Sequence, residues 1–294
     1  MGNGITIQGT TKLLGVIGDP VKHSFSPAMH NAAIAHLGVD YVYLPLPISS
    51  ARLNNALLGF EAIGLQGFNI TIPHKQAIIP LLDTISETAQ AIGAVNTVWR
   101  TETGWSGTNT DIDGFLAPLQ AMNRPWSQLN ALVLGNGGAA RAVVAGCASL
   151  GCLSVHVVGR SAEKLADFKQ SWQGSPVEGC LSVHPWDRLS DLMATTDLII
   201  NTTPVGMAPN IEASPLSADV AARISSQAIA YDLIYTPSPT VFLQQATAQG
   251  AIAIDGLEML VQQGAAALNI WLQQPVPIDV MRAALLTQLG MSKQ

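Results

Sequence analysis

Short apolar runs alternate with segments of helical period along most of the chain. Residues 13–17 read as a strand, and Ser26-Pro27 opens a helix that closes near Gly38, with Ser26 as N-cap and Pro27 at the first helical position. Residues 41–46 alternate as a strand, 52–63 have helical period, and 67–71 form a short strand. Residues 94–99 and a turn at Gly104 predict a further strand pair. Beyond Asp111 the rhythm is more regular. Ala131-Leu132-Val133-Leu134 is a buried strand, and a helix of small residues follows over about 138–150. Strands at 153–158, 198–200, 228–231 and 251–254 are interleaved with helices at 162–172 and 239–249. Two helices, at 257–272 and 279–289, close the chain. Alternation of this kind predicts an α/β fold with largely parallel sheets covered on both faces. The break in rhythm near 111–116 predicts a domain boundary.

The length of 294 residues gives a prior of two domains. Hydrophobic residues make up 48% and charged residues only 12%, which excludes a disordered chain and permits a large core without disulfides. A net charge of −6 argues against nucleic acid as a partner. Residues 142–159 and 259–278 carry no charge, which raises the question of a membrane span. Ser149, Gly151, Ser154 and His156 interrupt the first stretch; Gln262, Gln263, Asn269, Gln273, Gln274, Pro275 and Pro277 interrupt the second. A span needs about 20 predominantly apolar residues, so neither is expected to cross a bilayer. No basic segment leads into a long apolar run at the N-terminus, and a cytoplasmic protein is expected. Cys147, Cys152 and Cys180 form no CxxC pair and read as core thiols in a reducing compartment. The six histidines show no HExxH or zinc-finger spacing, so no metal site is expected.

Gly135-Asn136-Gly137-Gly138-Ala139-Ala140 fits G-x-G-x-x-G/A between a predicted strand and a predicted helix. That context is the dinucleotide fingerprint: Gly135 for the tight turn, Gly137 for approach of the pyrophosphate, Ala140 for helix–sheet packing. The helix N-terminus then offers free N–H groups to phosphate. The end of the next strand discriminates between cofactors. An NAD site usually carries an acid there for the ribose hydroxyls. This chain has Gly159-Arg160-Ser161, with Lys164 one turn on. Two cations in a chain with so few charges favour a 2′-phosphate, hence NADP(H).

Asn69-Ile70-Thr71-Ile72-Pro73-His74-Lys75 leaves a strand and enters a helix at Pro73, which places Lys75 in the first helical turn. A cation there opposes the helix dipole, so a surface role carries a penalty that a proton-transfer role beside an acid would offset. Gly107-Thr108-Asn109-Thr110-Asp111 supplies an acid, although Asp111 alone also reads as a cap for the helical segment 112–122. Ser24 and Ser26 present two hydroxyls after a strand, suited to a carboxylate at a helix N-terminus.

Together these segments resemble the shikimate dehydrogenase family. The resemblance is carried by Gly18-Asp19-Pro20, Ser24-Phe25-Ser26-Pro27 with His30-Asn31, the Asn69–Lys75 and Gly107–Asp111 segments, and Gly93-Ala94-Val95-Asn96-Thr97. Further on it includes Asn201-Thr202-Thr203-Pro204-Val205-Gly206-Met207, Tyr231-Asp232-Leu233-Ile234-Tyr235-Thr236-Pro237, and Gly256-Leu257-Glu258-Met259-Leu260-Val261-Gln262-Gln263. The resemblance implies NADPH-dependent, reversible reduction of 3-dehydroshikimate to shikimate. It implies Lys75 and Asp111 as the catalytic pair, and Ser24, Ser26, Asn69, Thr71, Asn96, Tyr235 and Gln263 as substrate ligands. Gly135, Asn136, Gly137, Gly138, Ala139, Arg160, Ser161, Lys164, Thr202, Thr203, Met207, Leu233, Gly256 and Met259 would hold the cofactor. It also implies an N-terminal α/β substrate domain with a mostly parallel sheet, a Rossmann-type NADP domain, and C-terminal helices packing back on the first domain. The expected boundaries are 1–111 with 255–294, and 112–254. Asn136 stands where the family commonly has Ala, and Gly159 where Asn often precedes the arginine. Two other readings stay open: a quinate/shikimate dehydrogenase using NAD or both cofactors, and a silent nucleotide-binding regulator. The expected partners are small molecules, with neither nucleic acid nor membrane, in a monomer or homodimer.

Overall fold

The computed structural model describes residues 6–291. Backbone contacts divide the chain into two units: Met1–Gly114 with Leu260–Gln294, and Phe115–Met259. In the first unit β1 (Lys12–Gly18) leads to α1 (Ser26–Leu37), β2 (Tyr41–Pro47), α2 (Leu53–Ala62), β3 (Gly67–Ile70) and α3 (His74–Ala77). There follow β4 (Thr84–Ile85), α4 (Glu87–Ile92), β5 (Thr97–Arg100), β6 (Trp105–Thr108) and the start of α5 (Asp111–Gln120), which from Phe115 belongs to the second unit. The six-stranded sheet runs β2-β1-β3-β5-β6-β4. It is parallel except at β5, which is antiparallel to both β3 and β6. The β5–β6 hairpin turns at Gly104, whose φ of +146° and contact with Asp83 leave no room for a side chain. The Trp105 amide donates to that same Asp83 carboxylate at 2.7 Å.

The second unit contains β7 (Asn130–Leu134), α6 (Gly138–Ser149), β8 (Ser154–Gly159), α7 (Ala162–Gln170), β9 (Leu181–Pro185) and α8 (Leu189–Met193). It continues with β10 (Leu198–Asn201), α9 (Ala218–Ala221), β11 (Ile229–Asp232), α10 (Val241–Ala248) and β12 (Ile252–Ile254). The sheet order is β12-β11-β10-β7-β8-β9, and every pair is parallel. The chain winds outward in both directions from β7, which makes the β7/β10 junction the topological switch point. In open α/β sheets ligands bind outside the strand ends at that point. The buried residues of β7 and β10 are apolar, as expected for strands covered on both faces (Leu132, Val133, Leu134; Leu198, Ile199, Ile200), up to the buried, hydrogen-bonded Asn201 that ends β10.

α11 (Leu257–Leu272) and α12 (Ile278–Gln288) close the chain. From Leu260 onward they belong to the first unit, where α12 packs along α1. Trp271 Nε1 donates to the Val98 carbonyl at 2.9 Å, and a Cβ on Gly67 would lie 2.2 Å from that nitrogen. The indole thus packs directly on the β3 backbone. The uncharged stretches 142–159 and 259–278 become α6 with β8, and α11 with the turn after it. Among the described residues no helix is long and apolar enough to cross a membrane.

Candidate active site

In the first unit Lys75 lies in α3, just beyond the end of β3. Its carbonyl accepts the Val95 amide at 2.8 Å, which ties this turn to the segment before β5. Lys75 Nζ donates to Asp111 Oδ2 at 2.6 Å, with the two side chains 24% and 11% exposed. Expectation and structure differ on the reason for the pairing. α3 is a single four-residue turn, too short to build a large dipole against the cation. The ammonium is balanced by Asp111 itself. Asp111 is the first residue of α5, where a carboxylate suits the helix dipole, and its amide donates to Asn109 Oδ1 at 2.9 Å.

The second oxygen of Asp111 is held as well. Asn96 Nδ2 donates to Asp111 Oδ1 at 2.8 Å, while Asn96 Oδ1 accepts the Thr110 amide at 2.8 Å and the Thr97 hydroxyl at 2.9 Å. Asn69 Nδ2 donates to Thr97 Oγ1 at 3.0 Å, and Asn69 Oδ1 accepts from the Tyr43 hydroxyl at 2.7 Å. Asn96 also reaches Gln263 Oε1 at 3.5 Å, and Thr110 Oγ1 donates to the Gln263 carbonyl at 3.0 Å. One polar network therefore joins Lys75, Asp111, Asn96, Asn69 and Gln263. Buried polar groups need such pairing, since each one left alone costs about 1–3 kcal/mol.

Ser26 is not the N-cap of α1. Phe25 occupies that position with helical dihedrals, and the Ser26 amide donates to Ser24 Oγ at 3.3 Å. Ser26 lies beside the buried phenol of Tyr43, whose hydroxyl holds Asn69. Thr71 is half-buried, and its amide donates to the Ile17 carbonyl at 2.9 Å. Tyr235 lies in the second unit, half-buried, with its phenol pushed above its ordinary value by burial. The sequence reading missed Tyr43, Thr97 and Thr110, whose hydroxyls complete the network. Only the polar side chain of Tyr43 within a buried strand hinted at such a role.

In the second unit Gly135 follows β7 with φ +100°, and a Cβ there would lie 2.9 Å from Thr203 Cγ2 and 3.0 Å from Thr202 Oγ1. Thr202 and Thr203 are thus packed against the glycine turn. Thr202 Oγ1 donates to the Leu134 carbonyl at 2.7 Å, and Thr203 donates through both N and Oγ1 to Asn201 Oδ1. A Cβ on Gly137 or Gly138 would meet nothing within 4 Å, so the backbone here is open to a ligand. The N-terminus of α6 carries no side-chain cap. Arg160 is exposed directly after β8, without an ion-pair partner among the described residues. Ser161 caps α7 by accepting the Lys164 amide. Gly256 approaches the Leu233 carbonyl to within 2.1 Å of where a Cβ would stand, which only glycine allows. Met207 is 47% exposed, and Met259 and Leu233 are half-buried. Open glycine backbone, unpaired helix N–H groups and a free cation fit a dinucleotide carrying a third phosphate.

A buried acid organises these loops. Asp232 closes β11, and its carboxylate accepts from Asn201 Nδ2 at 3.0 Å, the Ile234 amide at 3.1 Å and Thr240 Oγ1 at 2.6 Å. Burial pushes its carboxyl up to about 6 against these three donors. Through Asn201 it holds the Thr203 segment beside the glycine turn. The sequence signal was an acid ending an apolar strand, which has to be hydrogen-bonded when buried.

Residues 16–98 match the model of the shikimate dehydrogenase substrate binding domain, and residues 256–286 match that of the shikimate 5′-dehydrogenase C-terminal domain. The protein of Gloeothece citriformis named shikimate dehydrogenase (NADP(+)) is 60% identical over 285 residues, 97% of this chain and 99% of its own. The protein of the same name from Trichormus variabilis is 62% identical over 287 residues, again 97% and 99%. Among solved structures, shikimate 5-dehydrogenase of Thermus thermophilus in complex with NADP(H) and shikimate superposes with a TM-score of 0.83 at 34% identity, covering 94% of this chain and 99% of the other. A shikimate dehydrogenase in complex with NADP+ gives a TM-score of 0.88 at 36% identity, with 99% of each chain covered. With identity of this order along the whole length and the same fold, the chain belongs to the shikimate dehydrogenase family.

Proposed function

We propose that this protein catalyses the NADP(H)-dependent interconversion of 3-dehydroshikimate and shikimate, running toward shikimate. The observation that carries the reading is the Lys75–Asp111 pair, held in a hydroxyl-binding network in a chain 60% identical to proteins of that name. The first unit binds the substrate. Ser24 and Ser26 take the carboxylate; Asn69, Thr71, Asn96 and Gln263 take ring hydroxyls. The second unit holds NADP through the residues of the glycine turn, Thr202, Thr203, Met207, Leu233, Gly256 and Met259. Arg160, Ser161 and Lys164 would hold its 2′-phosphate.

Bound NADPH supplies the hydride for reduction of the carbonyl carbon. As the carbonyl oxygen becomes an alkoxide, Lys75 Nζ gives it a proton as general acid, a role worth about 10²–10⁴ in rate. Asp111 fixes the ammonium and accepts from a substrate hydroxyl. Asn96 keeps the Asp111 carboxylate in place by occupying Oδ1. In the reverse direction neutral Lys75 removes the hydroxyl proton. The free thiols Cys147, Cys152 and Cys180 support a cytoplasmic location, and the assembly is a monomer or homodimer.

The test is reduction of 3-dehydroshikimate by NADPH, followed as loss of reduced-nicotinamide absorbance with the product identified. Shikimate as the product supports the reading. Folded protein that consumes no NADPH would leave a silent nucleotide-binding protein of the same family.

A further inference from the structure

Gly159, the last residue of β8, is buried, and its φ is not in the left-handed region. Its backbone would accept any residue. A side chain there would have to displace its neighbours: a Cβ would lie 2.9 Å from Asn136 Oδ1 and 2.9 Å from Leu165 Cδ2. The Asn136 amide, carried by the glycine turn, thus fills the space a residue-159 side chain would use. It is half-buried and has no hydrogen-bond partner among the described residues. A polar group in that position calls for a partner. In this fold the end of the second strand is where the adenosine ribose is read. The next residue, Arg160, is the exposed cation proposed above to meet the 2′-phosphate.

We propose that Asn136 reads the adenosine ribose at its 2′ position beside Arg160, and that Gly159 is glycine in order to admit it. The proposal rests on NADP being the cofactor, and it adds a residue that sets the choice between NADP and NAD. The amide can donate to a 2′-phosphate oxygen while Arg160 supplies the charge. A carboxylate in the same place would repel that phosphate and accept instead from a free 2′-hydroxyl.

The experiment compares equilibrium binding of NADP and NAD to wild-type protein and to Asn136→Asp, Asn136→Ala, Gly159→Ala and the Asn136→Ala/Gly159→Ala double variant. Asn136→Asp should weaken NADP binding by about tenfold or more while NAD binding is kept or tightened, reversing part of the preference. Asn136→Ala should weaken NADP by about fivefold, the scale of one hydrogen bond. Gly159→Ala should do the same by displacing the amide, and the double variant should bind no worse than either single variant. Equal effects of Asn136→Asp on both nucleotides, or none on either, overturn the proposal while wild-type binding of NADP leaves the functional reading intact. Wild-type protein that binds neither nucleotide overturns both.

Discussion

Lys75 Nζ and Asp111 Oδ2 stand 2.6 Å apart although 36 residues separate them in the chain. The first is carried by the single turn of α3 and the second by the start of α5. Asn96 closes the arrangement by bonding the other Asp111 oxygen, so the carboxylate cannot rotate away without losing a buried partner. An ammonium has three donors, and this pairing uses one of them, leaving others for a substrate oxygen.

Lys75→Ala should lower kcat by about a hundredfold or more, with a smaller change in KM for shikimate. Steady-state rates with saturating NADP check this. A kcat within threefold of wild type would remove Lys75 from the proton transfer.

Arg160→Ala should raise KM for NADP by about tenfold or more and leave KM for NAD nearly unchanged. In its proposed role the removed group would make charge-assisted hydrogen bonds to a phosphate that NAD lacks, worth about 1.5–3 kcal/mol. Parallel changes for both cofactors would mean that the guanidinium does not meet the 2′-phosphate.

Gly67→Ala should destabilise the first unit by about 2–3 kcal/mol, since the new methyl group overpacks a filled site. It would stand 2.2 Å from Trp271 Nε1 and force the indole off the Val98 carbonyl. Urea unfolding followed by tryptophan fluorescence measures the cost. A midpoint equal to wild type would show that α11 can move aside without loss.

His30 is fully buried, stacked on Tyr43 with ring centroids 4.0 Å apart, and burial lowers its pKa to about 4. In the unfolded chain it takes up a proton near 6.5, whereas the folded protein resists until about 4. Its contribution is therefore complete above pH 6.5 and is lost as pH falls through this window. Asp232 works in the opposite sense. Its folded value of about 6 lies above its unfolded one, so its contribution is greatest in acid and is lost as pH rises through about 6. The stability difference between wild type and His30→Phe should shrink as pH falls from 7 to 5, and that between wild type and Asp232→Asn should grow. Differences that stay flat across this range in chemical denaturation would contradict both assignments.

Long periodic segments were legible in the sequence. The helix expected at 257–272 is α11 with the same limits, and the strand–Gly135–helix unit is β7 and α6. Short elements were not: β4, α4, α8 and α9 have two to six residues, too few for a period to show, and β9 follows a turn-rich segment. The antiparallel insertion of β5 was also hidden, because strand direction is set by pairing rather than by composition. At the site, the sequence placed Lys75 at a strand-to-helix turn and Asp111 at a break in rhythm. Their meeting came from resemblance rather than spacing. Tyr43, Asp232 and the close approach of Asn136 to Gly159 arise from tertiary packing, which a single sequence does not encode locally.

The proposed interconversion of 3-dehydroshikimate and shikimate with NADP(H) is reversible, so the oxidative direction tests it. The direct measurement is kcat/KM from the appearance of reduced-nicotinamide absorbance for shikimate and quinate, each with NADP and with NAD. The account predicts that the shikimate–NADP pair exceeds the other three by at least about tenfold, the scale of one well-made charged contact. Comparable rates with quinate or NAD, or no rate with shikimate and NADP, would contradict it.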